Sequence, residues 1–383
     1  MQKKSGLKYI LSQAVAFILL ILSKTISRQE NQHIWLIACG GERWGDNADA
    51  FWRYMSLEHP EINTIAVVKN KHLVKTDNKN WIKRNSLSSY LLILRAEVIA
   101  TTHTLSDLGP TEIISFSRAK KVWLQHGVIA IGKITAGQAK SDQYDLICAS
   151  SKREKEIMMS ELGIKAELIA LTGLARHDVL KERIEQQLSR EGLLFIPTSR
   201  RWLDRSQKEK YEDLLFSWIN YLMEKDLKIK IKLWLHPGWY KSGLGDLGLD
   251  YGIFEYYDLK QDPQKLICAS KLLVTDYSSV FFDAALSGIP TIFYQPDRSI
   301  YIEQKGILKE FLNQNSLMVV EDKHELLLQI DKIVNNSNYY SERLKQDQKW
   351  AYKYVETFDG NSCRRIYEQI MQLFKSETAH DNF

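Results

Sequence analysis

KLLVTDYSSVFFDAALSGIPTIFYQ, residues 271–295, decides the fold. KLLVT (271–275) is a short apolar run with a β-branched member. SSVFFDAALSG (278–288) follows with helical character and a hydroxyl pair at its start. PTIFYQ (290–295) is a second apolar run after a Gly-Ile-Pro break. Strand, helix and strand within 25 residues imply a parallel crossover unit, because parallel neighbours must be joined by a crossover.

Similar runs occur on both sides of this unit. HIWLIAC (33–39), TIAVV (64–68), EVIAT (97–101), KVWLQ (121–125), DLICA (145–149) and AELIALTG (166–173) read as strands of a first series. LLFIP (193–197) and KIKIKLWLHP (228–237) open a second series. Continuous apolar strands separated by charged helical stretches predict an α/β architecture of parallel sheets covered on both faces. A charged helical run from Asp178 to Arg190 ends at Glu191-Gly192, which is the expected connection between two halves. We therefore expect an N-terminal helix over 1–30, a first Rossmann-like domain over 31–188, and a second over 189–383 that includes the C-terminal helices. DLICASS (145–151) and KLICASK (265–271) echo one another, as expected of two similar halves.

The chain has 383 residues, enough for about two domains. Its net charge of +5 suits a phosphate-rich substrate or an anionic surface. No dense basic stripe with interleaved aromatics appears, so nucleic acid is not an expected partner. Cys39, Cys148, Cys268 and Cys363 fall in no metal-binding spacing and read as reduced buried thiols of a cytosolic protein. Near the N-terminus, Lys3, Lys4 and Lys8 precede AVAFILLIL (14–22), and Lys24 and Arg28 follow it. That run is too short to span a bilayer comfortably. Its basic flanks suit a helix lying in an anionic interface, and a helix packed on the first domain is the alternative.

Neither half carries a GxGxxG or GxxxxGK[ST] motif. Chemistry is instead expected in the loops at strand ends, where open α/β sheets bind ligands. His126 follows the strand of QHG (125–127), placed either as a general base or as a strand cap. Lys133 lies a few residues on. His236 closes the strand of LHPG (235–238), as a phosphate donor or a turn residue. Thr198, Ser199 and Arg200 follow LLFIP, where hydroxyls and a guanidinium suit phosphate. Ser278 and Ser279 open a helix and present its N–H groups. Asp283 lies one turn further in, facing cleft or solvent. In GGERWGDN (40–47), Asp46 and Asn47 either cap the next helix or bind an acceptor hydroxyl.

QHG (125–127), GLARHD (173–178), PTSR (197–200), LHPG (235–238), TDYSSVFFDAALSGIPTIFYQPD (275–297) and the early GDNADAFWRYM (45–55) together resemble the CDP-glycerol glycerophosphotransferases. These include teichoic-acid primases and polymerases and related capsule polymerases. The likeness runs from about residue 33 onward. Ser199 stands where the family usually has an aromatic, and VIAIGK (128–133) replaces its common TPLK. The resemblance implies a GT-B fold with the acceptor on the N-terminal domain and the cytidine nucleotide on the C-terminal one. It implies a polyol-phosphate transferase of envelope polymer synthesis that takes CDP-glycerol or CDP-ribitol, releases CMP, and uses no metal or other cofactor. His126 is then the catalytic base, with His236 as second catalytic histidine. Thr198, Arg200, His236, Ser278, Ser279 and Asp283 would hold donor phosphate or nucleotide. Asp46, Asn47 and Lys133 would hold a lipid-linked or glycan acceptor at the inner membrane face. The remaining readings are a GT-B glycosyltransferase using a nucleotide sugar, and a non-catalytic membrane-associated nucleotide-binding scaffold.

Overall fold

The structure, a computed structural model, describes residues 33–40, 44–69, 80–133, 143–200, 202, 229–235, 254–257 and 261–380. The expected N-terminal helix and His236 lie outside them.

The first sheet has seven parallel strands in the order β3-β2-β1-β4-β5-β6-β7. They are β1 (Ile34–Ala38), β2 (Asn63–Val68), β3 (Trp81–Lys83), β4 (Val98–Thr101), β5 (Lys120–Trp123), β6 (Leu146–Ala149) and β7 (Ile169–Leu171). The second sheet has six, in the order β10-β9-β8-β11-β12-β13. These are β8 (Leu193–Ile196), β9 (Ile231–Trp234), β10 (Phe254–Tyr257), β11 (Leu272–Thr275), β12 (Thr291–Tyr294) and β13 (Val319–Val320). Both sheets repeat one winding: the first three strands run outward in order, then the order reverses to the other side of the first. The reversal falls between β1 and β4 in one lobe and between β8 and β11 in the other. In a doubly wound sheet that is where a crevice opens beyond the strand ends.

The helices that position the site are α1 (Asp46–Glu58), α2 (Leu87–Arg95), α3 (Thr111–Ile114), α4 (Lys152–Leu162), α5 (Ala175–Glu185), α6 (Pro263–Cys268) and α7 (Val280–Leu286). They are followed by α8 (Arg298–Gln304), α9 (Lys309–Leu312), α10 (Lys323–Asn335), α11 (Ser337–Ala351) and α12 (Ser362–His380). The quoted unit is β11-α7-β12, and β11 and β12 pair in parallel.

Two expectations need correction. The echoed segments do not correspond: DLICA forms β6, whereas Lys265 to Cys268 lie in α6, and β11 begins after it. The same letters satisfy a buried strand in one place and a buried helix face in the other. The C-terminal helix also belongs elsewhere. α12 buries Cys363, Ile366 and Ile370 with Trp35, Phe51 and Trp52 of the first lobe. Tyr367 stacks on His59 at 3.7 Å. The chain thus returns to its first lobe at the end.

The lobes share apolar interior. Val128, Ile129 and Ile131, from the loop after β5, lie in one cluster with Tyr277, Phe281, Ile307 and Leu308 of the second lobe. The Leu308 N–H donates to the Ile131 carbonyl at 2.8 Å and the Lys133 N–H to the Gly306 carbonyl at 3.3 Å. Between these bonds, Gly132 and Ile307 form an antiparallel bridge.

Candidate active site

A cavity of about 190 Å³ lies between the lobes, lined among others by His103, His126, Gly127, Lys133, Tyr277 and Ser279. His126 leaves β5 through a sharp bend. Gln125 before it has φ 63°, a conformation that a non-glycine residue keeps only when its surroundings demand it. The demand is visible. The Gln125 side chain donates to the Cys148 carbonyl. Its own carbonyl accepts from Asn47 Nδ2 at 2.8 Å. Gly127 follows because a Cβ there would collide with the Ser279 Oγ across the cleft.

The His126 side chain is 56% exposed, and its Nδ1 meets the Asp46 carboxylate, which is only 7% exposed. Burial alone would raise the Asp46 pKa. The neighbouring charges of His126 and Arg176 outweigh it and hold the carboxyl well below the usual carboxylate range. An ionised Asp46 accepts, so Nδ1 carries a proton, and Nε2 is the ring nitrogen not engaged with Asp46.

Behind Asp46 stands Arg176, the residue that sequence reasoning missed. One of its terminal nitrogens donates to Asp46 Oδ1 at 3.1 Å and to the His126 carbonyl at 2.8 Å. The other donates to Asp283 Oδ2 at 2.7 Å. Asp283 Oδ1 accepts from Gln264 Nε2 at 2.7 Å. Burial works against the Arg176 charge, but the two carboxylates prevail and raise its pKa. GLARHD is visible in the sequence; what no local pattern shows is that its arginine meets residues 46, 126 and 283.

Several site expectations change. Asp46 and Asn47, expected at the acceptor, are engaged by groups of the protein itself. Asp46 serves His126 and Arg176, while fully buried Asn47 ties Gln125 to the Arg176 N–H, which it accepts at 2.9 Å. Neither side chain caps α1. Asp283, expected at the nucleotide, is 2% exposed and paired with Arg176. Arg200, expected at the donor phosphate, is buried among carboxylates. Its side chain has no exposed surface and pairs with Asp276 and Asp297, each at 2.7 Å. Thr198 belongs to the same cluster, donating from its N–H and hydroxyl to Asp276 and accepting from Arg200. Tyr277 and Tyr301, stacked at 3.5 Å, lie against the Arg200 guanidinium. This charged knot shapes the β8 and β11 loops from beneath.

Ser279 and Lys133 do reach the cavity wall. Ser278 Oγ accepts from the Val280 N–H at 3.3 Å, a turn-forming role. His103, unmentioned in the sequence reading, lies with its ring centroid 4.3 Å from that of His126. It follows β4, beside the strand reversal of the first lobe. Among the described residues, no group of three His, Cys, Asp or Glu is placed to hold a metal ion. No described helix is long and apolar enough to cross a membrane.

The chain is 22% identical to the teichoic acid glycerol-phosphate transferase of Staphylococcus aureus, covering 91% of this chain and 95% of that protein. It is 25% identical to the minor teichoic acid biosynthesis protein GgaB of Bacillus subtilis, over 90% of this chain and 40% of that protein. It thus spans about two-fifths of the longer relative. A histidine-to-asparagine variant of the wall teichoic acid polymerase TagF shares the fold, with a TM-score of 0.73, 18% identity and 99% of both chains covered. The S. aureus MnaA–UDP structure is more distant, with a TM-score of 0.61 at 12% identity, over 90% of this chain and 97% of that one. The two-lobed GT-B arrangement is therefore common ground. The profile described as CDP-glycerol:poly(glycerophosphate) glycerophosphotransferase matches residues 19–372, nearly the whole chain, and the chain belongs to that family.

Proposed function

We propose that the protein transfers glycerol phosphate, or a related polyol phosphate, from a CDP-polyol to a hydroxyl of an envelope glycan or polyol-phosphate polymer. One observation carries this reading: an exposed imidazole at a strand exit, backed by a buried ionised carboxylate, lines a cavity between two α/β lobes. The acceptor hydroxyl attacks the phosphorus that bears the polyol. His126 Nε2 takes the hydroxyl proton, the new P–O bond forms, and the P–O bond to CMP breaks. Ser279 and Lys133, both on the cavity wall, would meet donor phosphate oxygens. Positioning and charge stabilisation account for most of such a phosphoryl transfer.

The acceptor is proposed to be lipid-linked and met at the inner membrane face. The apolar run 14–22 with its basic flanks is the supporting feature. The route needs no cofactor besides the donor.

The test is CMP release from CDP-glycerol, CDP-ribitol and several nucleotide sugars with envelope-polymer acceptors, with and without a chelator, products read by mass spectrometry. His126→Gln should lower turnover about 10²–10⁴-fold while the donor still binds. Near-normal turnover in that variant removes the base. Sugar transfer in place of CMP release removes the polyol-phosphate reading, and loss of turnover with chelator brings in a metal.

A further inference from the structure

We propose that Arg176 and Asp283 are positioning residues for His126, acting through Asp46, so that the base is complete only when the second lobe lies against the first. The proposal rests on His126 being the base.

Asp46 has two neighbours competing for its charge. His126 uses Oδ2 and Arg176 uses Oδ1 at 3.1 Å. A guanidinium bound only to Asp46 would draw that charge away from the imidazole, in a buried setting where attraction is strong. Asp283 prevents this by taking the other terminal nitrogen at 2.7 Å. The fork is held by its ends, since the buried Arg176 Nε has no hydrogen-bond partner among the described residues. Gln264 fixes Asp283 in turn at 2.7 Å and also donates to the Arg176 carbonyl at 3.2 Å. Arg176 reaches the His126 carbonyl too, so it sets both the backbone and the carboxylate partner of the base.

The chain of contacts crosses the lobes. Asp46, His126 and Arg176 belong to the first lobe, whereas Asp283 and Gln264 belong to the second. Asp283 lies on α7, directly after the Ser278-Ser279 turn that lines the cavity. Withdrawing the second lobe would remove the carboxylate that balances Arg176. A mere interlobe ion pair would need no contact with Asp46 or with the His126 backbone, and Arg176 makes both.

The experiment compares wild type, Asp283→Asn, Asp46→Asn, the double variant and Arg176→Lys, which keeps the charge and loses the fork. Asp283→Asn should lower kcat about 10-fold, as loss of an outer partner of a site residue does, with the KM for CDP-glycerol nearly unchanged. In the Asp46→Asn background the same change should have no further effect on kcat, because the coupling passes through Asp46. Independently of turnover, long-range ¹H–¹⁵N spectra at alkaline pH show which His126 nitrogen carries the proton. The Nδ1–H form should dominate in wild type and mix with the other tautomer in Asp283→Asn and Arg176→Lys. Additive kcat losses, or an unchanged tautomer in both variants, would overturn the proposal. Should wild type release CMP from no donor, the catalytic reading falls, and the tautomer spectra still judge the coupling.

Discussion

Arg176, His177 and Asp178 occupy a single turn of α5, all three are buried, and each answers to a different neighbour. Arg176 faces the base. Asp178 accepts from the Ser362 and Cys363 N–H groups at 2.9 and 2.7 Å. His177 is 1% exposed, and neither ring nitrogen has a hydrogen-bond partner among the described residues. Burial, reinforced by the Arg176 charge, pulls its pKa down to about 3 from 6.5. The unfolded chain therefore takes up a proton near pH 6.5 that the folded chain refuses until far lower pH. This contribution to stability is whole above that pH and is lost on acidification at about 1.4 kcal/mol per pH unit. His177→Phe should flatten the acid limb of stability in urea unfolding between about pH 6 and pH 4. An acid limb as steep as that of wild type would sink the assignment. At this scale the sequence was legible only in part. His126 could be picked out because a histidine after an apolar strand followed by glycine has few uses. The burial of Arg200 and Asp283 among other charges was not legible, because residue type does not tell whether a charge at a strand end faces a ligand or another buried charge.

Among the elements, α12 departs furthest from expectation. Its apolar stripe was readable, but an amphipathic helix does not announce which sheet it covers. Two contacts settle it: Asp178 caps its first N–H groups, and Arg365 Nε donates to the Thr172 carbonyl at 2.8 Å. Asp178→Ala leaves two helix-start donors without their acceptor, and the loss of such a cap costs about 0.5–2 kcal/mol. A urea midpoint lowered accordingly would confirm the cap. An unchanged midpoint would show that α12 docks by its apolar face alone. The strands fared better, since buried parallel strands are written as plain apolar runs. β3, β10 and β13 were missed; at three and two residues, β3 and β13 are too brief for any periodicity.

At the scale of the whole molecule, the repeated sheet winding puts both strand reversals on one cleft, which the sequence showed only as strands in series. The surplus of positive charge, 52 basic against 47 acidic residues, acts at this scale too. If the basic-flanked run 14–22 brings the protein to its acceptor, the full chain should co-sediment with vesicles rich in anionic lipid. Binding should weaken with salt and be much reduced on neutral vesicles. Equal recovery with both kinds of vesicle would remove the electrostatic attraction.

The backbone stitch from Ile131–Lys133 to Gly306–Leu308 bears on how such proteins can be recombined. Its two halves come from different lobes and were shaped to each other, as were Gly127 and Ser279 above it. Lobes grafted between relatives would meet along a mismatched seam. A working chimera must therefore transplant both edges of that seam together.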